Sequence, residues 1–236
     1  HYTDKHKIRS TKTQYIDLID KFSNSPAEYE ISVKPTQLGS ENGYDELYSN
    51  LDYIVKKASE NNVFVWIDME NEDHIVKTLK SYHEIASKYP RSVGVCLQAN
   101  LKRTKEDIRI ISRIEGTSVR IVKGAYSSYD MDTFDSKDKV DDNMKQIIDY
   151  ATDVIDHRVA IGSHDKDIIE NYTGDSYNDK IEFQMLKGVR EDYQRELSDE
   201  YDVLQYMPYG EEWMSYTYRR FRERPRNIFL ILRNLF

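Results

Sequence analysis

Short runs of β-branched and aliphatic residues recur along the 236-residue chain, each followed by a longer stretch whose apolar positions fall three and four apart. The runs are ISVK (31–34), VFVWID (63–68), VGVCLQ (93–98), SVRIVK (118–123), RVAIGS (158–163), IEFQ (181–184) and VLQYM (203–207). Their nearly unbroken apolar character predicts strands covered on both faces, as in a parallel sheet of βα units. The spacing predicts helices over 11–22, 44–60, 72–88, 104–114, 138–156, 165–172, 188–199 and 211–223. The helix over 11–22 stands ahead of the first strand. A closed barrel pairs each helix with a preceding strand. The pattern therefore predicts either an open sheet or a distorted (β/α)8 TIM-like barrel whose opening strand lies upstream of His1. The nine glycines are scattered, and no G-x-G-x-x-G follows a strand, which counts against an open dinucleotide-binding sheet. A barrel of this length reads as a single domain spanning 1–236.

Composition narrows the function. The chain is 39% hydrophobic and 32% charged with a formal net charge of −8, the profile of a globular protein with no general affinity for nucleic acid. Any anion site must be local. The single cysteine, Cys96, sits inside the apolar run VGVCLQA, so no intrachain disulfide forms. A core thiol and a cytoplasmic location are expected. No apolar run approaches the roughly 20 residues a membrane helix needs. The histidines lack the spacing of a zinc site, and no P-loop occurs.

Barrel sites are built at the C-terminal ends of strands, and here polar residues close nearly every run. Lys34, Asp68, Gln98, Arg120 with Lys123, Ser163 with His164, Gln184 and Tyr206 occupy those positions. Singly, each has an ordinary reading: Asp68 caps the next helix, Lys34 reaches along the surface to water, His164 supports a neighbour. Together they describe a ligand site, because leaving so many buried polar groups unpaired costs about 1–3 kcal/mol each. Near the C-terminus, Tyr216, Arg219, Arg220 and Glu223 are spaced to share one helical face. Lys34, Arg120, Lys123, Arg219 and Arg220 stand against Asp68 and Glu223, so an anionic ligand is expected, the adjacent arginines forking onto a carboxylate or phosphate. The competing reading of that segment is an amphipathic surface helix with ordinary ion pairs.

The segments SVKPTQLG, VWIDME, GVCLQANLKRT, VRIVKGAY, GSHD, EFQMLKGVR, PYG and YTYRRFRERPRNIFLILRNLF, in this order, resemble the monofunctional bacterial proline dehydrogenases, the flavin-dependent proline oxidase family. The resemblance implies a (β/α)8 barrel holding FAD at its mouth. It also implies oxidation of L-proline to Δ1-pyrroline-5-carboxylate, with electrons passed to a membrane quinone during transient contact with the inner face of the membrane. By the same resemblance Arg219, Arg220 and Lys34 clamp the proline carboxylate, Tyr206 and Tyr216 wall the pyrrolidine ring, and Glu223 steadies the arginine pair. Asp68 and Arg120 take the catalytic positions. Met69, Gln98, Arg120, Lys123, Gly124, Ala125, Tyr126, Ser163, His164 and Gln184 take flavin-binding ones. The sequence departs from the family at Pro35, where leucine is usual, at Asn100, where tyrosine is usual, and at GSH in place of ATH. The opening strand, which in the family bears a carboxylate pairing with a site arginine, is expected upstream of this chain. A catalytically impaired barrel that binds a small carboxylate or phosphate is the alternative.

Overall fold

A computed structural model of the chain describes residues 3–23, 25, 29–124, 132–174, 177 and 180–210. Among them lie seven strands: β1 (Glu30–Val33), β2 (Phe64–Ile67), β3 (Val93–Gln98), β4 (Ser118–Val122), β5 (Arg158–Gly162), β6 (Ile181–Leu186) and β7 (Val203–Tyr206). Seven α-helices alternate with them: α1 (Lys5–Phe22), α2 (Tyr44–Ser59), α3 (Glu72–Lys88), α4 (Thr104–Ile111), α5 (Lys137–Val154), α6 (Lys166–Ile169) and α7 (Glu191–Ser198). Every strand lies where the apolar runs placed it. Helix α1 begins well ahead of residue 11, at Lys5, because the Asp4 carboxylate accepts the His6 N–H at 2.8 Å and caps it. The helix expected over 211–223 lies outside the described residues. The chain divides into two compact units, His1–Val159 and Ala160–Phe236.

In the first unit β1, β2, β3 and β4 lie side by side in chain order, all parallel. The register sets Ser32 beside Trp66, Trp66 beside Gly94, and Cys96 beside Arg120. Side chains alternate between faces along a strand, so this register sorts the runs into two unlike surfaces. One face is aliphatic: Val33, Val65, Ile67, Val93, Val95, Val119 and Ile121 are fully buried. Helix α2 buries its own stripe, Leu47, Leu51, Ile54 and Val55, and packs on β2. Each such side chain contributes about 1.5–3 kcal/mol. The other face carries Glu30, Ser32, Trp66, Cys96, Gln98 and Arg120. Gly94 is required there, since a Cβ would stand 2.4 Å from Cζ3 of Trp66. In the second unit, β6 and β7 are parallel with Gln184 beside Leu204 and Leu186 beside Tyr206.

Candidate active site

Three of the four parallel strands of the first unit, β1, β2 and β4, deliver one charged cluster. Lys34 follows β1 and precedes Pro35, whose ring confines Lys34 to an extended backbone (φ −108°, ψ 122°) and then opens a short 3-10 turn, Pro35–Gln37. Asp68 continues the β2 ladder by one bond, its N–H donating to the Val33 carbonyl at 2.9 Å, so its side chain shares the face of Trp66. Lys34 Nζ donates to Asp68 Oδ2 at 2.5 Å, and the other carboxylate oxygen, Oδ1, accepts from Arg120 Nη2. Arg120 also donates to Ser32 Oγ at 3.2 Å, and its guanidinium lies 5.2 Å from the Trp66 ring centre. Arg120 is 5% exposed, whereas the Lys34 side chain is 29% exposed, so the lysine is the arm nearer water. Asp68 does not cap the following helix; that position belongs to Asn71.

Around this cluster the loops are tied down. Gln98, buried at the end of β3, donates through Nε2 to the carbonyls of Met69 and Glu70 at 3.2 Å each. Its Oε1 is buried with no hydrogen-bond partner among the described residues. Glu70 in turn accepts from the N–H and hydroxyl of Thr36 at 2.7 and 2.8 Å, locking the two loops together. From α1, Tyr15 donates to Gln37 Oε1 at 3.0 Å; burial pushes its phenol well up, against the pull of nearby Lys34. Cys96 is buried, and burial raises its thiol against the pull of Arg120, which suits a core residue and not a nucleophile. After β4, Lys123 pairs with Asp141 of α5, which also takes Lys137. The charge of Lys123, counted from sequence as part of a cationic mouth, is thus offset locally. Gly124 sits at φ +96° against Asn100, whose Oδ1 would be 2.1 Å from an added Cβ.

In the second unit, His164 Nε2 accepts the Leu186 N–H at 2.7 Å, so Nδ1 is its protonated nitrogen. Ser163 is buried and its hydroxyl accepts the Asp165 N–H at 3.1 Å. Gln184, in β6 rather than at its end, donates to Glu182 at 2.6 Å, and both are buried. Tyr206 closes β7. Ala125, Tyr126, Tyr216, Arg219, Arg220 and Glu223 lie outside the described residues.

Comparison with known proteins decides the family. A family profile described as Proline dehydrogenase matches residues 2–227. The chain belongs to the proline dehydrogenase family. It is 36% identical over 227 residues to proline dehydrogenase 2 of Bacillus subtilis (strain 168), an alignment covering 93% of this chain and 74% of that protein. It is 30% identical over 215 residues to a proline dehydrogenase of Deinococcus radiodurans, covering 87% and 69%. Among solved structures, proline utilization A of Bdellovibrio bacteriovorus inactivated by N-propargylglycine superposes with a TM-score of 0.80 at 23% identity, over 92% of this chain. Proline utilization A of Bradyrhizobium japonicum, as the D779W mutant, gives 0.76 at 19%. The chain spans only 28% and 26% of those two proteins, and at such identities the likeness speaks to fold, that of a distorted (β/α)8 barrel.

Proline dehydrogenases are flavoenzymes, and the cluster fits a flavin. The orphaned Gln98 Oε1 is a buried acceptor awaiting an N–H donor, and the Gly124 turn offers backbone where a side chain could not stand. Four residues of this surround escaped the sequence reading. Tyr15 sits on the helix that had no strand, Ser32 lies inside an apolar run without closing it, Glu70 falls two residues beyond one, and Asp141 is one of several acids on α5. Only for Glu70 was there a signal, the second acid of IDME so soon after Asp68.

Proposed function

We propose that the chain oxidises L-proline to Δ1-pyrroline-5-carboxylate with FAD as its cofactor. The observation that carries this reading is the linked Lys34–Asp68–Arg120 set, in which Asp68 after β2 joins Lys34 after β1 to the buried Arg120 of β4. Bound FAD supplies the two-electron acceptor for the hydride that leaves the proline ring. The chain's own residues bind and orient. Lys34 with Arg219 and Arg220 holds the proline carboxylate, Glu223 steadies the arginines, and Tyr206 and Tyr216 wall the apolar ring. Both Asp68 oxygens already accept from a cation, so Asp68 is assigned to fixing Lys34 and Arg120 and not to proton removal. Arg120 would supply a fixed positive charge to favour the reduced flavin. Met69, Gln98, Lys123, Gly124, Ala125, Tyr126, Ser163, His164 and Gln184 would line the flavin. Such positioning supplies most of what a protein contributes to hydride transfer.

Electrons pass onward to a membrane quinone. Among the described residues no helix is long and apolar enough to cross a membrane. Contact with the lipid is proposed to be peripheral and transient, from the cytoplasmic side. The decisive experiment is the visible spectrum of purified protein before and after proline. A yellow protein bleached by proline supports the reading, whereas protein that takes up no added FAD, or whose flavin proline leaves oxidised, overturns it in favour of a barrel that only binds a small anion. Arg219→Met or Arg220→Met should lower kcat/KM for proline by roughly thirtyfold to several thousandfold, the loss for one partner of a buried charge pair of about 2–5 kcal/mol.

A further inference from the structure

Barrel interiors are ordinarily filled by branched aliphatic side chains. Beneath Arg120 this one is filled differently. Trp66, 1% exposed, donates Nε1–H to Glu30 Oε2 at 2.6 Å, and Glu30 Oε1 takes the Arg158 guanidinium. Arg158 lies 4.5 Å from the Phe64 ring centre and 5.6 Å from that of Trp66. The Trp66 ring then carries Arg120 at 5.2 Å, and the missing side chain of Gly94 makes room for it. A buried ion pair seldom stabilises a fold better than apolar side chains of equal volume. What this arrangement does accomplish is to fix the indole in plane and depth: its N–H is anchored at one edge, and its ring carbons fill the space over Gly94.

We propose that Trp66 is a positioning residue for Arg120, with Glu30 and Arg158 holding the indole, and that it sets the height at which the guanidinium meets the reacting ligand. Asp68 and Ser32 fix the nitrogens of Arg120; the aromatic face limits how far the group sinks along the barrel interior. Guanidinium over an indole face is attracted by the ring quadrupole, most strongly where water is excluded. Removing the face while leaving Asp68 in place lets Arg120 relax inward, and misplacement of about 1 Å typically costs a hundredfold in rate.

The test compares Trp66→Phe, which keeps an aromatic face, with Trp66→Leu, which does not. It is read as the single-turnover rate of flavin reduction by proline per bound flavin, alongside flavin content and thermal midpoint. Trp66→Leu is expected to slow reduction ten- to a hundredfold and Trp66→Phe less than threefold. A purely structural role would lower both midpoints and flavin content while leaving the rate per bound flavin alone. Trp66→Leu within twofold of the parent, or equal rates for the two variants, overturns the proposal. Should Trp66→Leu fail to fold, emission from Trp66 in a Trp213→Phe background decides instead: it must shift when Arg120→Met is introduced, and an unchanged spectrum overturns the proposal. The inference rests on the flavin-dependent reading above. That reading fails if proline leaves the parent's flavin oxidised; this one fails if the parent bleaches and Trp66→Leu bleaches as fast.

Discussion

Asp68→Ala removes a carboxylate from Lys34 Nζ at 2.5 Å and from the Arg120 guanidinium, leaving two cations in the same corner of the first unit. The side chains of Arg120 and Asp68 are 6% and 12% exposed, so the arginine has little water to replace its lost partner. Removing one member of a buried pair typically costs about 3–5 kcal/mol. The Lys34 arm belongs at the low end, because its flexible stem can turn toward solvent. A loss of about 3–4 kcal/mol follows, a large share of the roughly 5–15 kcal/mol that holds an ordinary domain together. At a urea slope near 3 kcal/mol per M, the midpoint should fall by about 1 M. Trp66 lies against Arg120, so its fluorescence reports unfolding of this region. Asp68→Asn, which keeps an uncharged acceptor, should fall between parent and alanine. Glu106→Gln serves as a control, since its pair with Arg109 is exposed and its loss should leave the midpoint unchanged. A shift below about 0.3 M for Asp68→Ala, the size expected of a surface pair, would refute the view that this carboxylate is the keystone of the cluster.

Three further outcomes are expected. Gly94→Ala forces a methyl to 2.4 Å from the buried Trp66 ring and should destabilise the fold by about 1–3 kcal/mol or more in urea unfolding. Gly124→Ala combines a left-handed φ of +96° with a 2.1 Å approach to Asn100, so purified protein should retain less flavin, measured by absorbance after gel filtration. His157, bonded to Ser118 at 2.9 Å, has its basicity lowered, chiefly by burial and then by Arg158 and Arg91, against the opposing pull of Asp156. Its folded form therefore gains a proton later than the unfolded chain, whose value is near 6.5, so it contributes a loss of stability as pH falls through and below that value. His157→Asn should flatten the fall in urea midpoint between pH 7.5 and 5.5, and an unaltered slope would show that this imidazole does not titrate as described.

Much was legible in the sequence because the forces involved are local. Alternating apolar runs and three-to-four spacing placed every strand, since backbone periodicity and side-chain burial are set within a few residues. Strand-closing Lys34, Asp68 and Gln98 were legible for the same reason, the run ending where the polar residue begins. Arg120 was found inside its run as an interruption of apolar character. What the residues do to one another was not legible. Asp68 meets Lys34 across 34 positions and Arg120 across 52, and Arg120 meets Ser32 across 88, contacts that exist only once parallel register is fixed. The register also decided that Glu30, Trp66 and Arg158 share a face, although nothing in their local patterns relates them. It took folding to bring Asp141 to Lys123 and Tyr15 of α1 to Gln37 beside the site. Charge and hydrogen bonding fall off within a few ångströms, so they are properties of neighbours in space; the sequence lists the donors and acceptors, and only the folded chain pairs them.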